Sequence, residues 1–219
     1  MGILRTTNHR FTSSKTYWTK THRAWLARLR REITGPMQIV LASELEMLEY
    51  LETSERSMDA RITEIAQQYP WRRPVEALCC FRGIKTLTAM TILSEIGDIR
   101  RFRSPRQLMG YTGLVPSERS SGDKQRRGPI TRSGNRYLRR VLIESAWHYS
   151  KQASSTLVLE RRRMGQDPAI VGIATKAQHR LRRRYLHLAR TKHTNKAVTA
   201  VARELVGFIW SMLWEIDRS

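Results

Sequence analysis

The apolar residues of this chain recur at helical spacing from the N-terminal segment to the C-terminal segment. Near the N-terminus one amphipathic helix is predicted from residues that share a face: Trp18, His22, Trp25, Leu26 and Leu29. Gly35 and Pro36 then interrupt the pattern, because glycine relaxes backbone preference and proline removes a hydrogen-bond donor. The sequence therefore predicts a short helix that ends before residue 35.

A long acidic helix is predicted next, from Met37 to about Tyr69. Its apolar positions recur every three or four residues, and glutamates occupy most of the remaining surface. A stripe this long with few helix breakers is typical of a coiled coil, either antiparallel or between chains. We expect this helix to be an arm that joins copies of the chain, with Pro70 and Pro74 ending it.

A compact helical domain is predicted beyond the arm. Strand patterns are short, and the longest β-compatible stretch, Gly113 to Val115, cannot form a sheet by itself. The expected fold class is mainly α, with a long coiled-coil-like arm followed by a compact helical domain. The expected divisions are 1–36 for a basic N-terminal segment, 37–70 for the arm and 71–219 for the domain. Domain helices are predicted over 75–80, 86–96, 104–109, 134–152, 168–193 and 195–216.

The charge of the chain indicates which class of partner it binds. Lys and Arg number 40 against 19 Asp and Glu, which gives a formal net charge of +21. A compact chain with this charge attracts polyanions. The sequence has no long uninterrupted apolar run and no basic-then-apolar leader, so we expect no membrane partner and a cytoplasmic, nucleoid-associated protein. Adjacent Cys79 and Cys80 suit buried thiols, and the scattered histidines predict no metal site.

The segment from Phe81 to Ala89 has the pattern of a helix end, a glycine turn and a helix start. It resembles a helix-hairpin-helix motif, in which backbone amides at the start of the second helix bind a phosphate oxygen. Gly83, Lys85 and Thr86 are the predicted contacts. An ordinary turn, with glycine as C-cap and Thr86 as N-cap, explains the same residues.

A polar, glycine-punctuated loop is predicted between residues 110 and 135, leading into a helix. Residues 100–140 hold twelve Lys and Arg against two acidic residues, nearly half of the net charge. Glycines, hydroxyls and arginine forks suit phosphate binding. The residue types alone do not separate a site with a nucleophile from a flexible basic loop.

Several blocks of this region occur in a specific order. Leu93 to Phe102, Tyr111 to Pro116, Ser121-Gly122, Arg127 to Asn135 and Leu138 to Arg140 follow one another over roughly residues 75–155. In this order they resemble the C-terminal transposase domain of the IS110/IS116/IS902 family. The segment around Trp18 to Leu26 and the tail from Asn195 to Trp210 resemble flanking segments of one subgroup.

The resemblance implies a DNA recombinase that moves its own element, with a serine attacking a DNA phosphate. The family serine matches Ser121, with Ser120 as the alternative one residue away and Ser117 as a weaker candidate. The expected nucleic-acid contacts in this region are Arg119, Lys124, Arg126, Arg127, Thr131, Arg132, Asn135 and Arg139. DNA is the expected partner, together with a guide RNA as used by some branches of the family.

One part of the family pattern is not found in the sequence. Complete members resemble a two-part enzyme whose N-terminal RuvC-like domain holds Mg²⁺ with four acidic residues, whereas residues 1–43 contain one acidic residue, Glu32. We therefore expect a truncated product with no cofactor of its own, Mg²⁺ being needed only by the missing domain. Glu95 and Asp98 look like helix-end residues. The alternative function is a non-catalytic nucleic-acid-binding remnant.

A second basic belt is predicted in the C-terminal third. Its residues are Arg161 to Arg163, Lys176, His179, Arg180, Arg182 to Arg184 and Arg190, on helices that also carry core residues. This pattern suits either a surface that binds a nucleic-acid backbone or a solvated helix face. Trp210 and Trp214 are predicted to be packing residues.

Overall fold

The computed structural model describes residues 9–13, 16–121, 124–152 and 156–218. In the segment 119–127 it describes strand backbone but no side chains. The chain divides into two compact units, Met1–Ala60 and Arg61–Ser219. Helices dominate both units, which confirms that the fold is mainly α.

The first unit contains a pair of helices, α1 (Lys20–Glu32) and the start of α2 (Pro36–Ile65). Gly35 lies between them with a φ of 73°, and α2 begins at Pro36, where the missing N–H has no helical partner to lose. Leu29, Ile33 and Leu41 form a small buried cluster between the two helices. Ion pairs from Arg23 to Glu52 and from Arg30 to Glu46 join them along their length, so the two helices run antiparallel.

The predicted arm corresponds to α2, which ends at Ile65 rather than at Pro70. Pro74 does not end a helix: it lies in the first turn of α3 (Arg72–Leu78), where proline is tolerated because the first amides of a helix have no partner within it. Leu41 is the buried residue of α2, and its large exposed apolar side chains are Ile39, Val40, Met47, Tyr50, Leu51, Met58 and Ile65. A coiled coil between copies stays a prediction.

The second unit is built around α9 (Thr194–Arg218). This helix packs on α8 (Pro168–Ala189), α6 (Arg136–Ala146), α5 (Pro105–Tyr111) and α3. α4 (Thr86–Ile96) packs on α3 and α6. Val198, Val201, Ala202, Leu205 and Met212 of α9 are fully buried in the common core. α9 is long and apolar enough to cross a membrane by composition, but half of its most apolar window is buried, as in a core helix.

The polar segment between residues 110 and 135 is not only the loop that the sequence predicts, because it contains two strands. Residues Pro116–Ser121 and Lys124–Ile130 form strands β1 and β2 of an antiparallel two-stranded sheet. Ser120 pairs with Gln125 and Ser121 with Lys124, and the register shifts between Pro116 and Glu118. Apolar periodicity gives no indication of these strands, because their sequences are mostly polar and show no alternation with apolar residues. The indication that was available is two polar runs separated by Gly122-Asp123, a dipeptide typical of hairpins.

Other helix bounds differ from prediction by a few residues. The helix expected over 134–152 ends at Ala146 and continues as a short 3-10 helix, Trp147–Ser150. α7 (Leu157–Arg163) was not predicted. Trp210 and Trp214 both donate from Nε1 to the carbonyl of Phe102, at 2.7 and 3.3 Å, so both act in packing.

Candidate nucleic-acid interface

The hairpin β1–β2 stands on a closely bonded foot, here defined as residues 111–115 and 131–135. Three backbone bonds join the two halves of the foot: Thr131 N to Val115 O at 2.9 Å, Arg132 N to Gly113 O at 3.2 Å and Asn135 N to Tyr111 O at 2.9 Å. Gly113 has a φ of 65° and Arg132 a φ of 57°, so both residues turn the chain in left-handed conformations. The foot thus continues the hairpin pairing down to the helical core.

Close approach of the backbone explains the glycines here. A Cβ on Gly134 would lie 2.6 Å from Gly113 N and would also collide with Tyr111 O, so no side chain fits at this position. A Cβ on Gly128 would collide with Ser117 Oγ across the hairpin. These glycines allow the two halves of the foot and the two strands to pack in contact.

Asn135 and Arg139, both predicted to contact nucleic acid, hold the foot together. Asn135 Oδ1 accepts from Leu138 N at 2.9 Å and caps α6, while its Nδ2 donates to Glu95 Oε2. Arg139 Nη1 donates to the carbonyls of Thr112 at 3.1 Å and Gly134 at 3.4 Å. Both side chains therefore position the hairpin on α6.

The two acidic residues at the C-terminal end of α4, Glu95 and Asp98, have partners within the protein. Tyr111 donates its hydroxyl to the Glu95 carbonyl at 3.1 Å, on the residue whose carboxylate holds Asn135. Asp98 accepts from Arg100 N at 2.9 Å, and the same arginine lowers the pKa of this carboxyl. Among the described residues no group of three His, Cys, Asp or Glu could hold a metal ion.

The candidate nucleophiles lie at the end of the hairpin furthest from the foot. Ser121 is the last residue of β1 and Ser120 precedes it; their side chains are outside the described part of the chain. The same holds for the side chains of Arg119, Lys124, Arg126 and Arg127, and Gly122 and Asp123 are wholly outside it. Thr131 and Arg132 lie in the foot, where both are exposed and Thr131 Oγ1 is 3.5 Å from the Gly113 carbonyl.

The turn of Gly83, Lys85 and Thr86 lies at the other end of α6. Gly83 has a φ of 86°, and a Cβ on it would lie 2.5 Å from Ser145 O and 2.9 Å from His148 Cδ2. Lys85 is the N-cap of α4, with extended backbone and no side-chain cap bond, and Thr86 is the first helical residue. Since α6 has 11 residues, the turn and the foot are about 16 Å apart along its axis.

Three cationic side chains lie near His148, the residue whose ring lies against Gly83 of the turn. Burial lowers the pKa of His148, and the nearby charges of Lys151, Arg82 and Lys85 lower it further. Arg82 also donates to the Gln152 carbonyl.

Several arginines of the second predicted belt form hydrogen bonds within the protein. Arg163 donates to Cys80 O at 3.0 and 3.1 Å and to Gln178 Oε1 at 2.8 Å, and Arg162 donates to Ile84 O at 3.1 Å. Arg182 donates to the Ser150 carbonyl. These arginines bind carbonyls of the protein itself. The neighbouring Cys80 thiol is buried, and this burial raises its pKa to about 11. The thiol therefore stays protonated and inert.

Residues 75–158 match the family described as Transposase IS116/IS110/IS902. This segment contains the turn, the foot and the hairpin. The chain belongs to the IS116/IS110/IS902 transposase family.

Relatives extend the match over most of the chain. It is 38% identical over 202 residues to y4qE of Sinorhizobium fredii, a protein named as a transposase, covering 92% of this chain and 48% of that protein. It is 31% identical over 176 residues to the transposase for insertion sequence element IS1533 of Leptospira borgpetersenii, covering 78% and 50%. An uncharacterised protein of insertion element IS110 in Streptomyces coelicolor is 32% identical over 114 residues. The chain spans about half the length of the first two relatives.

Proposed function

We propose that this member of the IS110 family acts in DNA transposition, as a site-specific recombination module that binds DNA and supplies a nucleophilic serine for strand cleavage and rejoining. The observation that carries the proposal is the family match over 75–158, which spans the hairpin on which Ser120 and Ser121 lie. Ser121 is the first choice of nucleophile and Ser120 the alternative.

The architecture suits such a role because the hairpin is held at its base. Asn135, Arg139 and Glu95 connect the foot to α6 and α4. A nucleophile must meet phosphorus in a defined geometry, and a scaffold fixed by hydrogen bonds reduces the entropy lost in reaching it. The hydrogen-bonded foot thus supports a catalytic hairpin better than it supports a flexible basic loop.

The proposed chemistry conserves the phosphodiester energy. The serine hydroxyl loses its proton and Oγ bonds to phosphorus, while the bond from phosphorus to a deoxyribose oxygen breaks and that oxygen takes up a proton. Rejoining is the reverse: a deoxyribose hydroxyl of the new partner strand attacks the phosphoserine, and the serine regains its proton. Arg127 and Arg132 would neutralise the charge that develops on phosphate, with Arg119, Lys124 and Arg126 as backbone contacts.

Further parts of the proposal concern partners. Gly83, Lys85 and Thr86 would bind a backbone phosphate beside His148. DNA is the substrate, a guide RNA is a further partner, and copies of the chain would associate through α2, whose exposed apolar side chains favour such a contact. Mg²⁺ would act only with an acidic nuclease-like domain.

The test is covalent capture. The purified chain is incubated with labelled junction DNA that carries element ends, with and without an added nuclease-like domain, Mg²⁺ and cognate RNA. Denaturing electrophoresis then resolves protein–DNA adducts. Ser121→Ala and Ser120→Ala are compared with Ser104→Ala, a matched control because Ser104 is an N-cap whose side chain makes no cap bond.

An adduct that is lost in Ser121→Ala and kept in both other variants supports the proposal. Loss in Ser120→Ala alone would move the role to the neighbouring serine. Salt-sensitive DNA binding with no adduct under any supplement would contradict the chemistry and leave a non-catalytic nucleic-acid-binding protein.

A further inference from the structure

A row of basic side chains follows one face of α8. The basic residues recur, singly or as adjacent pairs, at steps of three or four residues: Lys176, His179, Arg180, Arg183, Arg184 and His187. Together with Glu204 of α9 they line an open cavity of about 530 Å³. The row extends over 11 residue steps, which is about 16 Å of helix. Five of the six belong to the predicted belt, and His187 is an addition to it. None of the six is among the arginines that bind carbonyls of the protein itself.

A second cavity, of about 920 Å³, continues from the first. Arg184 lines both cavities. The second is bounded by the turn from α8 to α9, by the first turns of α9 and by the base of the hairpin at Pro116, Gly128 and Pro129. Its basic residues are Arg132, Arg184, Lys192, Lys196 and Arg203. The two cavities thus form one groove, which we name the α8–α9 groove, that leads to the hairpin.

Positive charge in the α8–α9 groove is largely unneutralised. Glu204 is the carboxylate among its lining residues, and it lies 3.2 Å from Arg180 Nε and 3.1 Å from Arg184 Nε. In the part of the chain that the structure describes, Lys176, Arg183 and Lys196 form no ion pair. The Glu204 contacts engage Nε of the two arginines and hold their guanidinium groups in the groove.

We propose that the α8–α9 groove binds the phosphodiester backbone of a double-stranded nucleic acid and guides it along the hairpin. A concave surface lined by arginine, lysine and histidine, with one carboxylate that orients two guanidinium groups, matches a row of phosphates. A merely solvated helix face is convex and carries acidic residues that compensate its basic ones. The groove is concave, and its lining residues include one carboxylate. This inference rests on the proposed function only in that the ligand is a nucleic acid.

Most of the residues that line the groove lie outside the family match. α8 and α9 begin after residue 158, where that match ends, and Arg132 is the basic lining residue within it. The groove is also distinct from the Gly83 turn, since none of the residues of that turn lines it. It therefore adds a contact surface to those predicted around the serines.

The test compares two triple variants with the same change in charge. Lys176→Gln, Arg183→Gln and Lys196→Gln remove three exposed cations of the groove. Arg28→Gln, Arg31→Gln and Arg61→Gln remove three exposed cations of α1 and α2. Binding of each full-length variant to duplex DNA and to duplex RNA is measured by fluorescence anisotropy over a series of salt concentrations, with circular dichroism to verify folding.

Each phosphate contact contributes about one unit to the slope of log affinity against log salt. The groove variant is expected to lose about three units of slope and at least about tenfold in affinity, while the control variant keeps the slope of the wild type. A loss of affinity and slope with duplex DNA, with duplex RNA or with both supports the groove as a binding site. The duplex that shows the loss is the one that occupies the groove.

Equal losses in the two triple variants would show a long-range effect of net charge and would overturn the groove, leaving the proposed function intact. Binding by the groove variant that equals that of the wild type would also overturn the groove and leave the proposed function intact. A wild-type chain that binds neither duplex would overturn the groove and the proposed function together.

Discussion

At Gly83 two demands on the backbone coincide. Its φ of 86° lies in the left-handed region, and its α-carbon packs against the Ser145 carbonyl and the His148 ring. The sequence indicated the turn, but it left open whether the glycine exposes amides to a ligand or serves the turn itself. The structure adds a third reason, because contact with the end of α6 alone excludes a side chain.

Gly83→Ala is therefore expected to lower the free energy of unfolding by about 2–4 kcal/mol, combining left-handed strain with overpacking. Gly110→Ala is the matched control, because its added Cβ meets nothing within 4 Å and alanine favours the helix in which Gly110 lies. Urea unfolding monitored by circular dichroism measures both variants. A Gly83→Ala protein as stable as the wild type would contradict the packing argument.

His22 is a buried imidazole within an aromatic cluster. Its Nδ1 accepts from Trp18 N at 3.1 Å, and the rings of Phe11, Tyr17, Trp18 and Trp25 lie around it at centroid distances of 4.8 to 5.7 Å. Burial lowers the pKa of His22, and the charge of Arg23 lowers it further. The folded chain thus holds this imidazole neutral more firmly than the unfolded chain does.

The stability of the first unit is consequently expected to decrease as the pH falls. The unfolded histidine takes up a proton near pH 6.5, whereas the folded one resists protonation, so the stabilisation is complete above about pH 6.5 and is lost on acidification through the lowered folded pKa. Thermal unfolding from about pH 7.5 to about pH 5.5 should show a falling Tm. In His22→Phe the dependence of this Tm on pH should be smaller. Identical slopes would contradict this prediction.

At the scale of elements, the sequence predicted helices well and the hairpin not at all. α4 lies at its predicted residues, and α8 and α9 begin within one residue of prediction. Each of these helices buries an apolar stripe, and the spacing of that stripe in the sequence shows the helical period. The sequences of β1 and β2 carry no comparable apolar stripe. The long-range bonds of the foot, between Tyr111, Gly113 and residues 131–135, leave no periodic pattern in the sequence either.

The partners of the basic residues were also not predictable from the sequence. Residue type predicted a belt, but it could not separate Arg162, Arg163 and Arg182, which bind carbonyls of the protein, from Lys176 and Arg183, which face the groove. Helical periodicity assigns a face, yet the partner of a guanidinium depends on loops that pack from elsewhere in the chain. The family resemblance, by contrast, was carried by local blocks and is confirmed.

Asn135 tests the structural role of the foot. Asn135→Ala removes the cap of α6 and the bond to Glu95, and it should lower the free energy of unfolding by about 1–3 kcal/mol. Asn135→Ser restores the cap but not the bond to Glu95, so it should recover part of the loss. Urea unfolding of both variants measures the difference. Equal stability of the alanine and serine variants would contradict a capping role.

At the scale of the whole molecule, the chain combines a small helical unit with a large one that has a continuous core. α9 is the element shared by most of that core, since it packs on α3, α5, α6 and α8. The turn, the foot and the α8–α9 groove all belong to the large unit. Their relative positions therefore depend on a single packed interior rather than on the folding of separate parts.

Leu205 of α9 lies in this interior with no exposed surface. Leu205→Ala should lower the free energy of unfolding of the large unit by about 2–5 kcal/mol, because it removes buried contacts and leaves a cavity that the surrounding helices cannot close. Leu186→Ala, at a leucine of α8 that is 44% exposed, is the control and should change stability by less than about 1 kcal/mol. Unfolding in urea is measured by near- and far-ultraviolet circular dichroism. Because one core holds every element of this unit, both signals should shift together to lower urea in Leu205→Ala. A shift in the near-ultraviolet signal alone would mean that the helices around α9 unfold independently, and the argument for a common interior would then be wrong.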